Sequence, residues 1–280
     1  MPAARTRWFA PGWTAVLALC LGTGAMAAPD AASPGLPRMV DIPAGEIVTG
    51  VCPDHPRICD PGDHVQRKVK VAAFKLSATE VTFAQWDACV KDGDCVDPVS
   101  EWAYQNRRVA PPCVPGEVCQ YPFDEGWGRA DRPVIHVSWN DTQKYLRWLS
   151  RKTGRTQRLP TSEEWEYAAM AGATTRFPWG ARLGKNQANC DGCGSRWDNR
   201  QTAPVGSFPP NRFGLHDMVG NVNEWVSTCL PPYIPGSQKC NSYLYRGGAW
   251  TSSASKLDPR KFDSAWPDDR SFFVGFRVAE

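Results

Sequence analysis

Apolar positions along the chain fall into three short helical registers separated by long stretches of loop composition. In TFAQWDACVKDG, residues 82–93, Thr82 and Gln85 have capping-box spacing and Gly93 follows the last turn. In SWNDTQKYLRWLSRKTG, residues 138–154, Ser138 opens a helix, Tyr145, Leu146, Trp148 and Leu149 form its apolar stripe, and Gly154 closes it. In TSEEWEYAAMAG, residues 161–172, Thr161 and Glu164 make another capping box, Trp165, Ala168 and Ala169 face inward, and Gly172 stops the helix. Short strands are expected at 39–42, 69–76, 244–246 and 275–279, and VIHVSW, which carries His136, also has the look of a strand. The remainder is rich in Gly, Pro, Asn and Asp, with connections long enough to need an ordering device such as disulfides or bound ions.

The first 28 residues carry Arg5 and Arg7, then the apolar run WTAVLALCL, then small residues at Ala25 and Ala27. This is the layout of a secretory signal peptide cut near Ala27, so 1–27 is expected to be a leader and 28–280 a single domain. An uncleaved anchor is the alternative, but the apolar run is short for a membrane span. The mature chain is expected in the periplasm or outside the cell. Removing the leader lowers the formal charge from +3 to +1, with signs mixed throughout. That balance argues against nucleic acid or an anionic membrane as the main partner, leaving a protein, a peptide or a small molecule.

Of 11 cysteines, all but Cys20 lie beyond the leader, and an exported chain makes disulfides the default. Neighbour pairing suggests Cys52 with Cys59, Cys89 with Cys95, Cys113 with Cys119, Cys190 with Cys193, and Cys229 with Cys240, although sequence alone does not fix connectivity. A redox CxxC at Cys190 and Cys193 would need a thioredoxin-like strand and helix, whereas NCDGCGSRWDN has loop composition. Zinc lacks a second CxxC or paired histidines to complete four ligands. The four histidines are His55, His64, His136 and His216. His55 and His64 with Asp54, Asp60 or Asp63 could be imagined as an iron site, but a solvated disulfide loop is the simpler reading. No serine triad, phosphate loop or HExxH motif is visible.

The stretch FGLHDMVGNVNEWVS, residues 213–227, places Asp217, Asn221, Asn223 and Glu224 inside an apolar run. Burying ionised carboxylates is costly unless a partner satisfies them. The residues allow either a turn cap with a buried ion pair, or a calcium site built from acids and inward-pointing carbonyls around the Gly-Asn turn.

The segments MVDIPAG, EVTFAQW, RPVIHVSWNDTQKYLRWLSRKTGRTQRLPTSEEWEYAAMAGATTRFPWG, APVGSFPPNRFGLHDMVGNVNEWV, YRGGAW and VGFRVA occur in this order over most of 39–279. Together they resemble the sulfatase-modifying-factor family, whose best-known member is formylglycine-generating enzyme. The resemblance implies one α+β domain of low regular content, related to C-type lectins and commonly holding structural calcium. It implies one calcium site at Asp217 and Glu224 with the carbonyls of Gly220 and Val222. A second would fall on Asn189 and the carbonyl of Cys190, completed by Asp198.

The family's copper chemistry carries over poorly. Its two Cu(I)-binding cysteines lie five apart, shortly after the GGS element, and the matching positions in RGGAWTSSASKLDPRKF are Ser252 and Leu257. Ala249 stands where the family often has Ser, and Asn223 where it often has Trp. Copper is therefore not expected, and a displaced thiol pair at Cys229 and Cys240 is less favoured than a disulfide. Some secreted relatives that lack these cysteines are implicated in maturing a siderophore chromophore in the periplasm, and the chain is similar to that branch. The charged segment 258–270, with Arg260, Lys261, Asp263, Asp268, Asp269 and Arg270, falls where the family cleft would be. The expectations are thus an oxidative maturation factor without thiolate copper or a non-catalytic, calcium-stiffened binding or assembly module. No catalytic residue is assigned.

Overall fold

Each expected helix forms where its cap residues stand. The computed structural model describes residues 35–49, 66–95, 122–230 and 240–280, together with Met1, and those from Gly35 onward belong to one compact unit. Apart from Met1, the expected leader lies outside the described residues. Helix α1, Phe83–Lys91, opens with a reciprocal capping box between Thr82 and Gln85. Helix α2, Trp139–Thr153, opens with Ser138 and Asp141 in the same arrangement and ends on Gly154, whose φ of 68° is the left-handed conformation that only glycine adopts without strain. Helix α3, Ser162–Met170, carries the Thr161 and Glu164 box. It ends one residue earlier than expected, because Ala171 (φ 46°) takes the left-handed cap before Gly172 does.

Among the described residues, eight strands pair into three sheets. Strand β1 (Met39–Ile42) lies antiparallel to β4 (Phe74–Ser77), and β2 (Gly45–Thr49) lies antiparallel to β3 (Arg67–Val71). The expected strand over 69–76 is therefore two strands in different sheets. The third sheet has the order β7-β6-β5-β8, formed by β5 (Asn223–Leu230), β6 (Ser242–Arg246), β7 (Phe262–Ala265) and β8 (Val274–Phe276), with β5 and β8 parallel. The C-terminal segment then lies along β4, since Lys75 and Glu280 exchange both backbone hydrogen bonds at 2.9 Å and Ser77 N donates to Val278 O at 2.8 Å. The expected strand at VIHVSW does not form. His136 adopts φ 58°, and its N–H is taken by Ser271 O rather than by a strand partner.

Two apolar clusters sit on the elements the pattern marked. One joins α1 and α2 to the main sheet through Trp86, Tyr145, Trp148 and Phe276, with Trp86 and Tyr145 stacked at 5.8 Å and Tyr145 edge-on to Phe276 at 5.3 Å. The other packs Trp165, Ala168 and Ala169 of α3 on Ile42, Leu76, Met218, Val226 and Leu244. A smaller cluster gathers Phe177, Val219, Leu257 and the Cys190 to Cys193 bridge. Bridges also join Cys89 to Cys95 and Cys229 to Cys240, while Cys52, Cys59, Cys113 and Cys119 lie outside the described residues. The mixed α+β architecture of few helices agrees with the fold class expected from the sequence.

Thr161→Ala removes the cap acceptor for Glu164 N, a loss worth about 1 kcal/mol. In a chain of this size a thermal melt should show Tm falling by about 2–4 °C.

Candidate functional site

Three buried carboxylates, Glu80, Asp217 and Glu224, share the field of one buried guanidinium, Arg277. Both oxygens of Glu224 are taken. Arg277 donates to them through Nε (2.6 Å) and Nη2 (2.7 Å), and Trp165 Nε1 adds a third bond at 2.6 Å. Arg277 also donates to the carbonyls of Ser77 and His216, each at 2.9 Å, and so ties β4 and the turn at 216 to β5. Burial pulls its pKa down, and the Glu224 carboxylate more than reverses the effect.

Asp217 is held in a left-handed turn (φ 58°). Its Oδ2 accepts from Gly206 N at 2.6 Å, but its buried Oδ1 has no partner. Glu80 is similar, with Oε1 accepting from Asn221 Nδ2 at 3.0 Å and Oε2 buried and unpaired. Burial first, then the neighbouring carboxylates, raises the Glu80 carboxyl well above its ordinary range. Burial pushes Asp217 up to about 6. An unsatisfied buried acceptor costs roughly 1–3 kcal/mol, so this pair of oxygens favours a proton or a hard cation.

The residues expected to ligate calcium occupy two linked loops. Gly220 (φ 82°) approaches so closely that a Cβ there would lie 2.4 Å from Asn189 O, the same oxygen that accepts from Asn221 N. Asn221 is fully buried. Its Oδ1 accepts from Ala203 N (2.8 Å), and its own carbonyl accepts from Trp250 N (2.8 Å). Val222, next in the chain, leads into β5. In the second loop Asn189 Oδ1 accepts from Ser195 Oγ at 2.8 Å, Asp198 accepts from Gly192 N and Gly194 N, and Cys190 closes its disulfide to Cys193. Among the described residues no three His, Cys, Asp or Glu side chains converge on one point. The side-chain oxygen that Asp217 leaves unpaired is of the kind calcium takes, whereas both oxygens of Glu224 are already bonded to Arg277 and Trp165.

A cavity of about 300 Å³ opens where β5, β6 and β7 meet the loop after β6. Its walls include Asn223, Tyr245, Ser252, Lys256, Lys261 and Asp263. Asn223 Oδ1 accepts from Gly248 N at 3.0 Å, and Ser252 Oγ accepts from Ala249 N at 3.0 Å, so both side chains are oriented by the glycine turn. Burial and the Asp263 carboxylate, which accepts a hydrogen bond from the phenol, push Tyr245 up to about 12 and keep it a donor at neutral pH. Leu257 is fully buried, and its Cδ1 lies 2.8 Å from where a Cβ on Gly248 would stand. A hydroxyl at Ser252 and a buried hydrocarbon at Leu257 do not fit Cu(I), which takes soft sulfur ligands.

Much of the charged segment is structural. Asp258 is bound bidentately by Arg260 at 2.9 and 2.8 Å, Arg270 reaches Asp141 at 2.8 and 3.0 Å, Asp268 accepts from Asn140, and Asp269 accepts from Trp266 N. Lys261 and Asp263 face the cavity. His136 lies 2.6 Å from Glu125, and His216 Nδ1 lies 2.8 Å from Phe208 O. His55, His64, Asp54, Asp60 and Asp63 lie outside the described residues. Sequence reading assigned no role to Glu80, Arg277 or Tyr245. All three stand in or beside recognisable segments, but their coupling is made by residues up to 200 apart.

An α+β scaffold of sparse elements, carrying a buried acid and arginine centre beside a polar cleft, defines a formylglycine-generating-enzyme-like domain. The chain belongs to that family, matching the sulfatase-modifying factor enzyme 1-like domain over residues 25–280. It is 34% identical to the formylglycine-generating enzyme of Bos taurus, over 86% of this chain and 74% of that protein. It is 30% identical to the inactive C-alpha-formylglycine-generating enzyme 2 of Mus musculus, over 87% of this chain and 85% of that one. Among solved structures, that of PvdO from Pseudomonas aeruginosa superposes with a TM-score of 0.71 at 32% identity, covering 88% of this chain and 94% of that chain.

Because Asp217 is easier to protonate folded than unfolded, its contribution favours the fold at low pH and is lost as pH rises through about 6. In chelator, Asp217→Asn should remove this slope and leave the variant more stable at pH 7 by roughly 2–3 kcal/mol. Denaturant titrations at pH 5 and pH 7 would show it.

Proposed function

We propose that this chain is an exported maturation factor of the family, which engages a protein, peptide or small-molecule substrate in the cleft of Tyr245, Ser252 and Lys261 and promotes, without thiolate-held copper, an oxidative modification in which dioxygen accepts the two electrons the substrate loses. The observation that carries this reading is the cleft itself. The family's copper locus has become a hydroxyl and a hydrocarbon, yet the space beside it remains open and lined by convergent polar groups. Tyr245, held protonated with its O–H on Asp263, leaves its phenolic oxygen to accept a hydrogen bond from a substrate donor, and Lys256 and Lys261 favour an anionic substituent nearby. The apolar run with its basic flank at the N-terminus supports export to the periplasm or beyond. Similarity to the structure of PvdO over most of both chains supports a place in the same family.

The inactive mouse relative favours a second reading, in which the scaffold binds without catalysis. A deletion strain separates the two. Comparative mass spectrometry of its extracts should reveal a precursor differing from the mature product by two hydrogens or one oxygen. The wild-type gene should restore maturation, and Tyr245→Phe should restore it at least tenfold less well. Identical extracts would support the non-catalytic module.

Calcium belongs to the same proposal, as a structural ion at Asp217, Gly220, Val222 and Glu224, with a second at Asn189, Cys190 and Asp198. The unpaired Oδ1 of Asp217 supports the first. Millimolar calcium should raise the Tm of the wild type by several degrees over chelator, and raise that of Asp217→Asn by less, through the second site alone. A wild-type melt indifferent to calcium would remove the ion from the account.

A further inference from the structure

The segment KLDPRK, residues 256–261, brackets one side of the cleft. Leu257 is fully buried, and Asp258 and Pro259 are buried after it, which pins the middle of the segment and leaves a lysine at each end. Two turns fix those ends, since Lys256 N donates to Ser253 O at 2.8 Å and Lys261 N donates to Asp258 O at 3.0 Å. Strand β7 follows at once, and its antiparallel register sets Asp263 opposite Tyr245 of β6. Lys256 and Lys261 thus line one cavity together with Tyr245, Phe262, Asp263 and Phe273.

The charges on this wall are unequally committed. Asp258 is held bidentately by Arg260, and the Asp263 carboxylate already accepts the Tyr245 hydroxyl. Neither lysine is paired with an acid among the described residues. With Asp258 offset by Arg260, two ammonium charges face the single charge of Asp263, and the cleft holds one positive charge in excess. One anionic group restores neutrality there, whereas a doubly charged phosphate overfills it. The rings of Phe262 and Phe273 offer an apolar side to a short hydrocarbon stem, and the phenolic oxygen of Tyr245 accepts from an N–H.

We infer that the substrate taken by this cleft carries a carboxylate on a short aliphatic stem beside an N–H donor, and that Lys256 and Lys261 select it. This rests on the reading of the cleft as the substrate site and names the class of substrate that site takes. An acidic side chain of a peptide and a free small acid present the same chemistry.

The test is titration NMR on the full exported chain at low ionic strength, with the N-acetyl amides of glutamate, glutamine and phosphoserine as probes. Exposed ion pairs are worth up to about fivefold each, so the glutamate probe should bind roughly tenfold more tightly than its neutral glutamine counterpart. The margin should shrink in about 0.5 M salt. Lys256→Gln and Lys261→Gln should each cut it about threefold, and the double variant should abolish it. Lys91→Gln, exposed at the end of α1, should leave it intact. The phosphoserine probe should bind no better than the glutamate. End-blocked Gly-Gly-Glu-Gly-Gly against 4-acetamidobutyrate identifies the source: a tighter peptide indicates an acidic side chain, a tighter acetamidobutyrate a free acid. Equal binding of the glutamate and glutamine probes, no binding of the glutamate probe, tighter binding of phosphoserine, or a margin that survives the double variant would overturn the inference. Unchanged extracts from the deletion strain would remove catalysis and leave acid recognition standing, whereas an accumulated precursor with no acid preference on the protein would remove only the selectivity.

Discussion

The buried pair of Arg277 and Glu224 is the constraint on which the remaining structure depends. One guanidinium, wholly removed from water, holds Glu224 of β5 in a fork and spends its other donors on the carbonyls of Ser77 and His216. Trp165 of α3 closes the same carboxylate from another direction. An ion pair of this kind adds little net stability over a well-packed apolar substitute, but removing one partner strands a charge and costs about 3–5 kcal/mol. Its larger effect is geometric, because a planar fork accepts only one relative placement of strand, helix and turn. In a chain with so little regular structure, that placement sets where β5 runs, and β5 carries Asn223 into the cleft.

The same centre explains the polar residues inside an apolar stretch. Asn221 satisfies Glu80, Ala203 and Trp250 at once, and Gly220 lets the turn close against Asn189. The acids are less fully served. With Glu224 committed to Arg277, burial raises the proton affinity of both Glu80 and Asp217, and the Asp217 and Glu224 carboxylates raise that of Glu80 further. A centre with this imbalance is stiff in geometry and responsive to protons and hard cations, which suits a scaffold built to keep long loops in place.

Scaffold and chemistry separate cleanly in this molecule. The elements that shape the family's domain are present, while the thiolate positions have become Ser252 and buried Leu257. Leu257 packs with Val219 and a disulfide, so the position expected to match a family thiolate lies in an apolar cluster. The cleft beside it keeps hydroxyls, a protonated phenol and lysines.

Local sequence determined the helices, since capping boxes at Thr82, Ser138 and Thr161 and a glycine after α2 act within a few residues of where they stand. It also determined the near-neighbour disulfides among the described residues, the apolar faces, and, through extended family motifs, the α+β fold. Strand partition was less legible: 69–76 reads as one strand, and the chain breaks it at Ala72 and Ala73 to serve two sheets. His136 looked like a strand residue because Val134, Ile135 and Val137 are apolar, yet those side chains are buried on a turn. Only the tertiary structure decided that Glu224 answers Arg277, that Tyr245 faces Asp263, and that Glu166 pairs with Arg246. Pattern and propensity report on contacts a turn or two away, whereas these pairings are made by charges whose partners lie dozens of residues off and whose energies exist only once water has been excluded.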